Sequence, residues 1–89
     1  MSAQFLNLIF ILNGQRVMIQ AKSDELFAEV ALRYMQKAGL NLQQAPKFFY
    51  NSMELKLEAA KTLEEYHIGN QANIDVVLSS LVIGALITK

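Results

Sequence analysis

Asn13-Gly14, set between the apolar-rich runs Phe5 to Leu12 and Arg16 to Ala21, constrains this chain more than any other feature. Both residue types tolerate positive φ, so the pair builds the tight turn whose twist matches two antiparallel strands. In the second run Val17, Ile19 and Ala21 alternate with Arg16, Met18, Gln20 and Lys22. Period two means one face on a core and one toward solvent. The chain therefore opens with a β-hairpin, and more strands must join it, because an isolated hairpin is at best marginally stable.

Beyond the hairpin the period changes. Ser23 and Asp24 offer a helix N-cap, and Glu25 and Glu29 suit the positive end of the helix dipole. Phe27, Val30, Ala31, Tyr34 and Ala38 recur at helical spacing, with Lys37 near the end and Gly39 as the stop. The spacing predicts one amphipathic helix whose other side carries Leu32 and Met35. Asn41 to Pro46 reads as a polar connection. Lys47 to Tyr50 is a short aromatic strand, Asn51-Ser52 a turn and Met53 to Leu55 a second short strand. Thr62-Leu63-Glu64-Glu65 has capping-box spacing and predicts a single helical turn through Tyr66. Ile74 to Leu78 is a last strand. One helix on a mixed sheet is an α+β arrangement.

With the segments in this order, the chain resembles ubiquitin. Lys47-Phe48-Phe49-Tyr50-Asn51-Ser52-Met53-Glu54-Leu55 is similar to that family's basic-apolar-apolar-aromatic strand, small-residue turn and following Leu. Thr62-Leu63-Glu64-Glu65-Tyr66-His67-Ile68 resembles its Thr-Leu-x-Asp-Tyr-x-Ile segment, with Glu in place of Asp. The resemblance covers roughly residues 5 to 78 and implies a ubiquitin-like β-grasp, a mixed sheet packed on one amphipathic helix. It divides the chain into a domain over 1–78 and an apolar extension over 79–89. It further implies that Tyr66 bonds a loop backbone through its hydroxyl. The positions of the two best-known chain-linking lysines are taken by Met53 and Asn70.

Ubiquitin is gripped through an exposed apolar patch. Aligned on this chain, its positions are Leu12, Phe49, Asp75 and Val77, with acidic Asp75 where the family has a basic histidine. The family ends in an Arg-rich segment and a diglycine. Here Ser79-Ser80 leads into Leu81-Val82-Ile83-Gly84-Ala85-Leu86-Ile87-Thr88-Lys89, where Gly84 stands alone. Activating enzymes thread that terminus through a channel that needs small residues, so bulky Leu86 and Ile87 argue against conjugation. Residues 76 to 87 carry no charge. Such a segment is too short for a membrane span of about twenty residues, and left in water it is an aggregation hazard. Leu81, Val82, Ile83, Leu86 and Ile87 are therefore expected to be buried by another chain, or folded back on Leu32 and Met35.

Composition narrows the function classes. Eight Lys and Arg offset eight Asp and Glu, and the basic residues are scattered, which gives no electrostatic reason for a nucleic-acid partner. Cysteine is absent, which removes disulfides, thiolate metal sites and cysteine nucleophiles together. His67 is the sole histidine, with only Glu64 and Glu65 near it in sequence, and no phosphate-binding Gly loop or nucleophile motif occurs. The expectation is a protein that is no enzyme, takes no cofactor, metal or small-molecule substrate, and works by binding other protein chains of an assembly. The runner-up is a free adaptor read by ubiquitin receptors, and the third reading a modifier with an unusual terminus. An intracellular location is expected by default, cytoplasmic first, with an organellar complex left open.

Overall fold

A computed structural model of the chain describes residues 3–78. The opening hairpin is β1 (Phe5–Leu12) and β2 (Gln15–Lys22), antiparallel with Leu12 opposite Gln15 and no bulge between Phe5 and Leu12. Asn13 and Gly14 both have positive φ, 51° and 81°, the two-residue turn that the Asn-Gly pair predicts. The helix, α1, runs from Phe27 to Ala38, and the remaining strands are β3 (Pro46–Tyr50), β4 (Met53–Glu54) and β5 (Ala72–Leu78). Asn51 and Ser52 repeat the positive-φ turn between β3 and β4.

The five strands form one mixed sheet in the order β2-β1-β5-β3-β4. β1 lies parallel to β5, pairing Leu8–Ile11 with Ala72–Asp75. β3 runs antiparallel to β5, pairing Pro46–Phe49 with Leu78–Asp75. α1 covers one face, giving the α+β β-grasp. Leu6, Leu8, Phe10, Ile19, Ala21, Phe48, Ile74, Val76 and Leu78 from the sheet meet Phe27, Val30, Ala31, Tyr34 and Met35 from the helix in one core. At its centre the Phe10 and Tyr34 rings stack at 4.5 Å and 9° between planes, and Phe48 meets Phe10 edge-on at 5.9 Å. Such pairs add stability beyond the area they bury.

Two expectations for α1 are corrected. Met35 is buried at 3% exposure, while Ala38 is exposed. Positions 27, 30, 31, 34 and 35 form the stripe, since Met35 falls one turn beyond Ala31. Leu32 remains on the opposite side at 44% exposure. Nor do Ser23 and Asp24 cap the helix. The N-cap residue is Leu26, with no side-chain cap, and the Phe27 amide donates to the Lys61 carbonyl at 2.9 Å. The first orphan amide is thus satisfied by a segment far along the chain, while the Ser23 hydroxyl accepts from the Gln4 amide. Gly39 stops the helix as expected, left-handed at φ 75°, with Leu40 donating back to Met35.

Between β4 and β5 the capping box forms in full: the Glu65 amide donates to Thr62 Oγ1 at 3.1 Å and the Thr62 amide to Glu65 Oε1 at 2.8 Å. The segment makes a turn, with the Tyr66 amide donating to the Thr62 carbonyl, but no helical element. Thr62 instead bridges Leu26, so the box is fastened to the start of α1. The Tyr66 hydroxyl donates to the Lys56 carbonyl at 3.4 Å, as the resemblance implied. Short 3-10 turns form at Leu42–Gln44, inside the polar connection Asn41 to Pro46, and at Leu57–Ala59.

Glu25 joins three of these parts. Its carboxylate accepts from the Lys22 amide at 2.8 Å and from Arg33 Nη2 at 2.9 Å, and its carbonyl accepts from the Leu63 amide. The Arg33 hydrogen bond holds the carboxyl below its ordinary value of 4.5. A depressed folded pKa contributes stability above the unfolded value, and that contribution is lost as pH falls through the folded one. The pair is partly exposed, so the gain is at most about 1 kcal/mol. Glu25→Gln should therefore cost little at acidic pH and more at neutral pH, as urea midpoints at about pH 7 and about pH 3 will register; an equal cost at both removes the linkage.

Candidate protein-interaction surface

Alternation along each strand decides which side chains face away from α1. β5 reads buried at Ala72, Ile74, Val76 and Leu78 and exposed at Asn73, Asp75 and Val77. The outward set is extended by Phe5, Asn7, Ile9 and Ile11 on β1, and by Arg16, Met18, Gln20 and Lys22 on β2. Lys47 pairs with Val77, and Phe49 with both Asp75 and Glu54.

Of the residues singled out from the sequence, Phe49, Asp75 and Val77 share this outer face. Phe49 is half-buried between its cross-strand neighbours, and Val77 is 50% exposed. On either side of Phe49, Phe48 is buried and Tyr50 packs partly buried against the core. Leu12 does not join them. It continues the inward row of Leu6, Leu8 and Phe10, and packs half-buried against the core. Its placement in the patch is corrected by parity: the hairpin closes directly at Asn13-Gly14, so Leu12 is still a paired strand residue and keeps its inward phase. Leu81, Val82, Ile83, Leu86 and Ile87 lie outside the described residues.

In place of Leu12 the structure supplies Ile9 and Ile11, which sequence reasoning missed. Ile11 stands opposite Asp75, and Ile9 opposite Asn73 and Met18. The signal was present in β1, whose Leu8-Ile9-Phe10-Ile11-Leu12 is apolar without a break. A strand that buried only one face would alternate; an unbroken apolar run marks a strand apolar on both. Phe5, 63% exposed, and Met18, 51% exposed, carry the apolar surface onward along the hairpin. Lys22 lies over the Phe5 ring at 5.5 Å, a weak contact at an exposed site.

The outer face thus sets Met18, Ile9, Ile11, Phe49 and Val77 among polar Asn7, Gln20, Lys47 and Asn73, and one ordered row crosses it. That row reads Arg16, Ile11, Asp75, Phe49, Glu54 from β2 to β4, each residue paired with the next. Among the described residues Asp75 makes no ion pair; the one salt bridge there joins Arg33 of α1 to Glu25 just before the helix. His67 is exposed beside Glu64 and Asp24 in a shallow open depression, and no group of three potential metal ligands occurs among the described residues. No helix among the described residues is long and apolar enough to cross a membrane.

No protein-family model and no curated protein matches the sequence. Solved structures do match the fold. The solution structure of a ubiquitin-like domain from an Arabidopsis thaliana protein aligns with a TM-score of 0.74 and 15% identity, covering 84% of this chain and 78% of that one. A protein designed de novo on the basis of ubiquitin aligns with a TM-score of 0.73 and 23% identity, covering 85% of this chain and 90% of that one. The fold is ubiquitin-like, at a sequence divergence that leaves few shared residues.

Proposed function

From its ubiquitin-like β-grasp and the apolar outer face of its sheet, we propose that this chain is a non-conjugated ubiquitin-like protein that acts by binding other proteins, as a small structural or accessory subunit of a larger assembly. The observation that carries the reading is that Met18, Ile9, Ile11, Phe49 and Val77, from four of the five strands, share one face of the sheet and leave it unusually apolar around Asp75. Single exposed apolar residues are ordinary, but a contiguous apolar field on a small protein marks a contact surface. The apolar residues Leu81, Val82, Ile83, Leu86 and Ile87 add a second element that a partner chain would bury.

Tagged full-length chain, expressed in its own cells and run by size exclusion, should elute with stoichiometric partners at high mass. Phe49→Ala combined with Ile11→Ala should move it to the monomer position while its circular dichroism spectrum remains that of the folded chain; elution of the unaltered chain as a free monomer sinks the proposal. Removing residues 81–89 should weaken the association as well. The adaptor reading draws on Phe49 and Val77, and asks for capture by isolated ubiquitin receptors that Phe49→Ala abolishes. Asp75 weighs against it, because it puts an anion where those receptors meet a basic or neutral histidine.

A further inference from the structure

Taking the outer face as the contact surface, we infer that its partner is an amphipathic protein helix carrying an Arg or Lys inside its apolar stripe, set opposite Asp75 with apolar residues over Ile11 and Phe49. The inference rests on the proposed protein-binding role and adds the chemistry of the occupant.

Three observations lead to it. First, β1 and β5 are interior strands with neighbours on both sides, so this face offers side chains and no free backbone groups. A segment lying on it must satisfy its own amides and carbonyls, which a helix does and an extended peptide does not. Second, Asp75 stands between Ile11 and Phe49 in the middle of the apolar field, exposed and without an ion pair among the described residues. Covering it with an apolar surface would strand a carboxylate, at a cost that a guanidinium or ammonium removes. Third, the spacings agree. Ile11 and Phe49 are two strands apart, about 9.6 Å at the usual strand separation. Helix positions i and i+7 are about 10.5 Å apart. A helix laid across the strands thus places apolar residues at i and i+7 over Ile11 and Phe49, and its i+3 or i+4 residue over Asp75. Arg16 and Glu54 close the row with opposite charges, which fixes the direction of a helix with an acid at one end and a base at the other.

A second copy of the chain is a poor occupant. Superposing Ile11 of one copy on Phe49 of the other, and the reverse, puts the two-fold axis through Asp75 and sets two carboxylates face to face at the centre, a repulsion that the exposed Arg16–Glu54 pairs brought together at the two ends of the row do not offset.

The test uses the full chain, immobilised, and a phage-displayed library of helical peptides of about 20 residues, enough to cross the sheet. Selected peptides should carry Arg or Lys at i+3 or i+4 between apolar residues at i and i+7. Their dissociation constants, measured by fluorescence anisotropy, should rise about tenfold or more on Asp75→Asn, and Asp75→Lys should transfer preference to peptides with Glu at that position. Circular dichroism melts of each variant verify the fold. Peptides lost on Phe49→Ala but indifferent to Asp75→Asn, or lacking the cation, overturn the basic helix and leave the outer face standing as the contact surface. Peptides indifferent to Phe49→Ala as well, or a selection that yields none, overturn both.

Discussion

Phe10→Ala is expected to cost the chain roughly 3–5 kcal/mol, most of the stability a domain of this size possesses. Phe10 is fully buried, stacked on Tyr34 at 4.5 Å, near Phe27 at 6.3 Å and crossed edge-on by Phe48 at 5.9 Å. It thereby touches the helix at two points and the sheet at β3. Removing the ring leaves a void that rigid aromatic neighbours cannot close, so the transfer and cavity costs add. Urea denaturation followed by circular dichroism reads the effect as a collapse of the midpoint. Phe10→Leu should lose far less, about 1–2 kcal/mol, because it retains most of the volume. A loss below about 1 kcal/mol for the alanine variant contradicts this account of the core. Phe49, two strands away on the outer face and only half-buried, supplies the contrast: the same truncation there should cost clearly less than Phe10→Ala.

Leu63→Ala should cost about 2–5 kcal/mol despite its position in a segment without regular secondary structure. Leu63 is fully buried, its amide donates to the Glu25 carbonyl at 3.0 Å, and its own carbonyl accepts from the Ile68 amide at 2.9 Å. Thr62 beside it bridges Leu26, and Lys61 caps the first amide of α1. Loss of the Leu63 side chain therefore loosens the helix start as well as the core. Native-state hydrogen exchange should show the Phe27 amide losing protection in Leu63→Ala by at least as much as the sheet amides do. Protection of Phe27 unchanged from the parent chain would separate the two and defeat the coupling.

The same two regions explain what could be read from the residues alone. Asn13-Gly14, the stop at Gly39 and the Thr62-Glu65 capping box are local devices: the groups that make each bond lie within a few residues, so spacing in sequence is spacing in space. The cap of α1 is not local. Ser23 and Asp24 look suitable, but the amide they would serve is met by Lys61, thirty-four residues beyond Phe27. The candidate surface divides in the same way. Phe49 and Val77 can be read from strand alternation, which a single strand displays. Leu12 fails because its orientation depends on whether the strand is still paired at the turn, a property of the hairpin register and not of Leu12. The unbroken run Leu8 to Leu12 shows that β1 is apolar on both sides, but only the sheet order tells that Ile9 and Ile11 are on the side α1 leaves open.

The parallel pairing of Leu8–Ile11 with Ala72–Asp75 also has a bearing on how the chain is made. It joins the first strand to the last, and β3 reaches β1 only through β5. During synthesis the hairpin and α1 leave the ribosome early, but with no β5 beside it β1 has an open edge, and β3 has nothing to pair with except β4. The sheet can close only when Leu78 has emerged, so closure waits on a contact between distant parts of the chain and is costly in loop entropy. Until then the two-sided apolar strand β1 is exposed along a whole edge, which is the period of greatest risk for misassembly. Ile9 and Ile11, which the closed sheet sets beside paired neighbours, lie until closure on a strand whose edge is open to any other chain.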